Sequence, residues 1–94
     1  MAYVYILHSE KLDRFYTGSC LDLGKRLLEH QTKIDTSSFT AKANDWKLFF
    51  CIENLKYKQA RKIESHINEM RSKKYMEDLK KYPEMSQDLI DRYK

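Results

Sequence analysis

The chain has 94 residues, of which 41% are hydrophobic and 13% aromatic, and it carries a net charge of +4. This length fits one small domain, and the content of apolar and aromatic side chains is too high for a disordered chain. No apolar run reaches the roughly 18 residues of a membrane span, and two cysteines outside any paired motif predict neither a disulfide framework nor a structural zinc site. We therefore expect a single domain over residues 1–94 of a cytoplasmic protein without membrane association.

The positive charge is unevenly distributed along the chain. Residues 1–54 contain as many acidic as basic side chains, so the whole excess of Lys and Arg lies after residue 54. This second part would face a polyanion if the protein binds one. The alternative is a solvated, lysine-rich helix surface without a partner.

Two segments near the N-terminus predict a β-hairpin. Residues 3–8 are rich in β-forming residues and apolar on both sides, as in a central strand covered on both faces. A polar turn follows, and residues 15–18 form the returning strand. If Tyr5 pairs with Gly18, the phenol rings of Tyr5 and Tyr16 lie on the same face of the hairpin.

Residues 23–31 predict a helix with Asp22 as its N-cap, because apolar side chains recur there at helical spacing. Residues 32–45 are polar and small, which is typical of a long loop. Residues 46–53 alternate between two sets of side chains with a period of two, which predicts a third strand.

The remainder of the chain predicts helices. Residues 57–71 place apolar side chains at spacings of three and four, and Ser72 is a suitable cap for a further helix that must stop near Pro83. Ser86 is predicted to cap a last short helix. The expected fold class is α/β: a small three-stranded antiparallel-type sheet flanked by helices, with extra C-terminal helices.

Three charged side chains lie beside the apolar stripes of these helices. Arg26 and His30 are four residues apart on one face of the first helix, where they lose hydration unless a partner or a polar cleft receives them. Glu64 lies at the border of the apolar stripe of its own helix and could hold a hard cation such as Mg²⁺ in a cleft. The structural alternative is an exposed surface, with Glu64 paired to a neighbour such as Arg61.

The order of these residues resembles the GIY-YIG nuclease domain, in particular its small stand-alone bacterial members. Tyr-Val-Tyr at residues 3–5 is followed after ten residues by Tyr-Thr-Gly at residues 16–18, and then by an arginine, a histidine and a glutamate on later helices. The resemblance covers about residues 3–75 and leaves about residues 76–94 as a helical extension. By this resemblance, the catalytic positions are Tyr5, Tyr16, Arg26, His30 and Glu64. Ser19 stands where several members carry a lysine.

The resemblance implies a metal-dependent endonuclease that hydrolyses phosphodiester bonds in DNA, in repair or recombination. Glu64 would hold one ion, Mg²⁺ or Mn²⁺, while either Tyr5 or Tyr16 activates water. Arg26 would stabilise the charge that develops on the phosphate, and His30 would orient groups or relay a proton. The chain is short, so we expect cutting that is directed by branched or single-stranded DNA structure or only weakly selective, or a separate protein that targets it.

Two alternatives to a nuclease depend on other residues. A nucleic-acid-binding module without catalysis would retain the fold and rely on the basic side chains, which also serve a nuclease in binding DNA: Lys42, Lys58, Arg61, Lys73 and Lys74. A protein-interaction domain would instead use apolar side chains of the C-terminal helices: Tyr75, Met76, Leu79 and Tyr82. This last alternative leaves the order of tyrosines, arginine and glutamate unexplained.

Overall fold

The computed structural model describes residues 1–32, 45–70 and 72–94, and the side chains of its first segment as far as residue 27. Most of the predicted loop at 32–45 therefore lies outside the described residues. The elements follow in the order β1 (Ala2–Ser9), β2 (Arg14–Cys20), α1 (Leu23–Thr32), β3 (Lys47–Leu55), α2 (Tyr57–Met70), α3 (Lys73–Lys81) and α4 (Pro83–Arg92).

The three strands form one antiparallel sheet in the order β2-β1-β3. The predicted sheet is confirmed, with β1 as its central strand. Tyr5 lies opposite Gly18 on β2 and opposite Cys51 on β3, so the register that places Tyr5 and Tyr16 on one face is also confirmed.

Both faces of β1 are buried, which explains its run of apolar residues. On one face, Val4 and Ile6 belong to the main core together with Ile63 and Ile67 of α2. On the other face, Tyr5 and its neighbours form a second cluster of buried side chains. A strand covered on both sides carries apolar residues at every position instead of every second one.

The ends of two helices agree with the predicted caps. The Oδ1 atom of Asp22 accepts a hydrogen bond from the backbone N–H of Lys25 at 3.1 Å, and the Oγ atom of Ser72 accepts one from Tyr75 at 3.2 Å. Each cap satisfies one of the backbone donors that the first turn of a helix leaves without a partner.

The predicted cap at Ser86 is wrong. α4 begins at Pro83, and Ser86 lies inside this helix with a buried hydroxyl that has no partner among the described residues. Proline has a fixed φ angle suited to a helix and no N–H to satisfy, so it is favoured in the first helical position. Pro83 therefore starts α4 as well as following the end of α3.

The C-terminal helices complete the main core. Met76, Leu79 and Leu89 are buried there, so Met76 and Leu79 are not available to the protein-interaction surface that was the last of the alternatives. The side-chain amide of Gln59 on α2 donates to the carbonyl of Ile90 on α4 at 2.9 Å and ties the two helices together. None of the described helices combines the length and apolarity needed to cross a bilayer.

Candidate active site

The site begins at the centre of the sheet with Tyr5. Its side chain is fully buried, at 0% exposure, on the face of β1 that looks toward the second cluster. The ring lies 6.4 Å from the ring of Tyr16, measured between centroids. Because β2 is the edge strand next to β1, the pair places two phenols side by side at the border of the sheet.

Gly18 makes the position of the Tyr5 ring possible. A Cβ atom added to Gly18 would lie 2.5 Å from the Tyr5 hydroxyl oxygen and 2.7 Å from the adjacent ring carbon. These distances are far below van der Waals contact, so any other residue would displace the ring. The glycine is needed for space, because the phenol occupies the position that a Cβ atom would require.

Arg26 of α1 joins the phenol pair. Its half-buried side chain makes a hydrogen bond to Tyr5, in which the guanidinium donates and the phenol oxygen accepts. Burial raises the pKa of Tyr5 and Tyr16 adds to this effect, while the charge and the hydrogen bond of Arg26 oppose it. Tyr5 is therefore a neutral phenol at pH 7 that holds the guanidinium in place.

Tyr16 is more accessible than Tyr5. Its side chain is only half-buried on the edge strand, and its ring meets the buried indole of Trp46 edge-on, with centroids 6.5 Å apart. An edge-to-face contact of this kind is a favourable arrangement for two aromatic rings. Trp46 is therefore a second aromatic neighbour of the Tyr16 ring, besides Tyr5.

Glu64 enters the site from α2. Its half-buried carboxylate accepts a hydrogen bond from the hydroxyl of Ser19, with 2.5 Å between Oε1 and Oγ. Ser19 follows Gly18 on β2 and so points to the opposite face of the strand. The ion pair with Arg61 considered from the sequence is not formed among the described residues; Arg61 instead donates to the Tyr57 hydroxyl at 3.5 Å.

One cleft connects the two halves of the site. Its volume is about 260 Å³, and it is lined by Ser19, Cys20, Leu21, Asp22, Lys25, Arg26 and Tyr57. Ser19 is the partner of Glu64, and Arg26 is the partner of Tyr5. Of the five predicted catalytic residues, Arg26 lines this cleft, Tyr5 and Glu64 each interact with a residue that lines it, and Tyr16 lies beside Tyr5.

The chemistry of Glu64 suits a hard cation. Mg²⁺ prefers oxygen ligands and is commonly held by one or two carboxylates together with substrate oxygens and waters. A carboxylate offers about four acceptor positions, so the bond from Ser19 leaves room for a cation. Within the described part of the chain, no group of three or more His, Cys, Asp or Glu residues could hold a metal ion.

The remaining predicted residues have different positions. His30 lies on α1 with a side chain outside the described residues, and Lys42 lies outside them altogether. Lys58 is exposed on α2. Lys73 forms an ion pair with Asp13, and Lys74 forms an ion pair with Asp78. Three of these side chains are exposed, and that of Asp78 is partly exposed.

Sequence reasoning missed three members of the site: Gly18 as the seat of the Tyr5 ring, Ser19 as the partner of Glu64, and Tyr57 at the cleft. Ser19 and Glu64 are 45 positions apart, so no local spacing relates them. The alternation of side chains along β2 could have indicated the role of Ser19, because it places Ser19 on the face of the strand opposite to Tyr16 and Gly18. The predicted strand ended at Gly18, however, whereas β2 continues to Cys20 and so includes Ser19.

Comparison with known protein families gives one match. Residues 1–76 match the family model described as the GIY-YIG catalytic domain, which covers most of the 94-residue chain. Comparison with curated proteins and with solved structures finds no match.

Proposed function

The chain belongs to the GIY-YIG catalytic domain family, a family of nucleases, and we propose that it hydrolyses phosphodiester bonds in DNA as a divalent-metal-dependent endonuclease. One observation carries this proposal. A single cleft is lined both by Arg26, which is bonded to the buried phenol Tyr5, and by Ser19, which is bonded to the carboxylate of Glu64. A guanidinium that lines a cleft, with a carboxylate one hydrogen bond away from the cleft wall, suits a phosphate and its accompanying cation.

Glu64 would hold the cation. When bound, Mg²⁺ or Mn²⁺ would supply positive charge to the scissile phosphate and to the departing oxygen. Ser19 orients the carboxylate through its hydrogen bond, so that the charge of Glu64 stays at the cleft. Ser19 is therefore a positioning residue, and it takes the place of the lysine found in several members.

Arg26 would bind the phosphate. Its guanidinium lines the cleft and is already held by Tyr5, so it needs little rearrangement to stabilise the charge that develops during hydrolysis. Preorganised donors of this kind contribute more than donors that must be ordered during the reaction. Tyr5 is fully buried, with a raised pKa, and thus serves to position Arg26.

Tyr16 is the better choice for activating water. It is half-buried, whereas Tyr5 has no exposed surface from which to reach a water molecule. A phenol with an ordinary pKa of about 10 is a weak base at pH 7, so it depends on nearby cations to accept a proton. Arg26 provides such a charge, and His30 of the same helix would orient the water or relay the proton.

The basic side chains would bind the DNA backbone. Contacts with phosphates position a protein without reading the base sequence. The excess of positive charge after residue 54 supports this role for Lys58, Arg61, Lys73 and Lys74, together with Lys42. Action in DNA repair or recombination, with or without a targeting protein, is the context we propose.

A plasmid-nicking assay tests the nuclease directly. The wild type is incubated with supercoiled DNA and Mg²⁺ or Mn²⁺, and a parallel sample contains EDTA; we expect cleavage only with the metal. Glu64→Gln keeps the volume of the side chain but removes its charge, so cleavage should be lost while thermal melting is retained. Glu69→Gln is the matched control, because Glu69 is exposed on the same helix.

Two results would contradict this proposal. Cleavage by Glu64→Gln within threefold of the wild type would show that the carboxylate holds no essential cation. DNA binding by the wild type without cleavage under any of these conditions would favour the alternative, a nucleic-acid-binding module that keeps the fold.

A further inference from the structure

The mouth of the cleft carries two large apolar side chains that face water. Leu21 is 64% exposed and Tyr57 is 49% exposed, and both line the cleft with Arg26. Exposed large apolar side chains are common when they are scattered singly, but two of them at one binding cleft indicate a contact surface. The aromatic ring of Tyr57 is the more specific of the two, because it offers a flat face.

Three basic residues share the cleft or a contact with Tyr57. Lys25 and Arg26 line the same cleft, and Arg61 contacts the Tyr57 hydroxyl at 3.5 Å. Among the described residues that line the cleft, the acidic side chain is that of Asp22, whose carboxylate caps the first turn of α1 through the N–H of Lys25. An aromatic face bordered by cations is the arrangement with which proteins bind single-stranded nucleic acids, since the ring stacks on a base while the cations attract the backbone.

A base inside a duplex is unavailable to such a ring, because its two faces are covered by the neighbouring base pairs. A base that has left the stack can lie on an aromatic side chain instead. We propose that Tyr57 stacks on an unpaired base next to the cleft, so that the protein selects DNA with at least one nucleotide free of its complementary strand. This inference rests on the proposed function, because it takes the cleft as the place of the phosphate.

A second exposed tyrosine provides a matched control. Tyr82 is 41% exposed and lies beside a cation, with the Lys81 ammonium 5.4 Å from its ring centroid. It sits between α3 and α4 and does not line the cleft. The two tyrosines thus resemble each other in exposure and in local charge, and they differ in position relative to the cleft.

Binding is measured in EDTA, so that no cleavage occurs. The probe is a fluorescently labelled single-stranded oligonucleotide of mixed sequence, and an intact duplex of the same sequence serves for comparison. We expect Tyr57→Ala to weaken binding to the single strand by roughly 5- to 150-fold, the range for loss of one stacked base, and to change duplex binding by less than twofold. Tyr57→Phe should bind like the wild type because it retains the ring, and so should Tyr82→Ala.

A second measurement identifies the base. Abasic sites are introduced one at a time along the single strand; at one position the wild type should lose about the same factor in affinity, and Tyr57→Ala should lose nothing further. The inference is overturned if Tyr57→Ala binds the single strand within twofold of the wild type, if it weakens single strand and duplex equally, or if Tyr57→Phe behaves like Tyr57→Ala. Thermal melting of each variant shows that it is folded. None of these readouts depends on hydrolysis, so a failed nicking assay and a failed stacking test are distinguishable.

Discussion

Gly18→Ala is the most informative single change in this fold, because one added methyl group is aimed at the centre of the site. The new Cβ atom would lie 2.5 Å from the Tyr5 hydroxyl oxygen, while ordinary contact begins near 3.4 Å. The phenol would have to retreat by about 0.9 Å, yet Tyr5 is fully buried against the second cluster. A well-packed interior resists such a shift.

The expected magnitudes follow from this overlap. Adding a methyl group to a packed core typically costs about 1–3 kcal/mol, and replacing a glycine inside a strand returns about 0.5–1 kcal/mol. We expect a net loss of about 0.5–2 kcal/mol in the free energy of unfolding, which lowers Tm by about 2–16 °C in a domain of this size. Cleavage should fall by about 100-fold, since the displaced phenol carries Arg26 with it and a misplacement of 1 Å in a catalytic group can cost that factor.

Two further variants test whether the effect of Gly18→Ala comes from the collision with the Tyr5 ring. Gly24→Ala is the control, because its Cβ atom would lie 3.7 Å from the nearest atom, an Asp22 carboxylate oxygen, and alanine favours the helix by about 0.5–1 kcal/mol. In a Tyr5→Leu background the ring atoms that collide are gone, so adding Gly18→Ala there should be neutral or stabilising. Equilibrium unfolding of the four proteins of this cycle gives the coupling energy, which we expect to be about 1–3 kcal/mol. A Gly18→Ala protein that melts at or above the wild-type Tm would refute the reasoning.

Two other predictions address catalysis and DNA binding. Tyr16→Phe should reduce single-turnover cleavage by about 10²–10⁴-fold at unchanged DNA affinity, while both it and Tyr5→Phe lower stability by only about 0.5–1.5 kcal/mol each. Wild-type cleavage rates in both phenylalanine variants would remove the phenols from the mechanism. Reversing Lys73 and Lys74 together to glutamate should weaken binding by a similar factor for all DNA sequences and lower the slope of log affinity against log salt by about 1–2, measured by titration at several salt concentrations. Unchanged binding would show that these lysines only form surface ion pairs.

The sequence predicted the arrangement of the elements well, because each has a strong local signal. The apolar run of β1 indicated a strand covered on both faces, and Asp22 and Ser72 capped helices that the structure contains. The start of α4 was predicted wrongly, since Pro83 was interpreted only as a stop and Ser86 as a cap. Serine is favoured at the N-cap, the residue just before the first helical position. The preference of proline for the first helical position is the stronger indication here, and it places the start of α4 at Pro83.

The site could be predicted only in part. The pairing of Tyr5 with Tyr16 followed from strand register, which alternation and hairpin geometry determine locally. The bond between Ser19 and Glu64 joins an edge strand to a helix across 45 positions, and only the packing of α2 on the sheet decides it. Tyr57 likewise reaches the cleft through the position of the first turn of α2, which periodicity within the helix cannot give.

Two neighbouring residues of β2 hold the two halves of the site in register. Gly18 faces one side of the strand and receives the phenol of Tyr5, while Ser19 faces the other side and binds Glu64. A shift of β2 by one residue would exchange these faces, so that the phenol would lose its glycine and the carboxylate would lose its serine. The bond from Ser19 to Glu64 is therefore as much a consequence of the β2 register as the contact between Gly18 and Tyr5, and the proposed metal role of Glu64 depends on it.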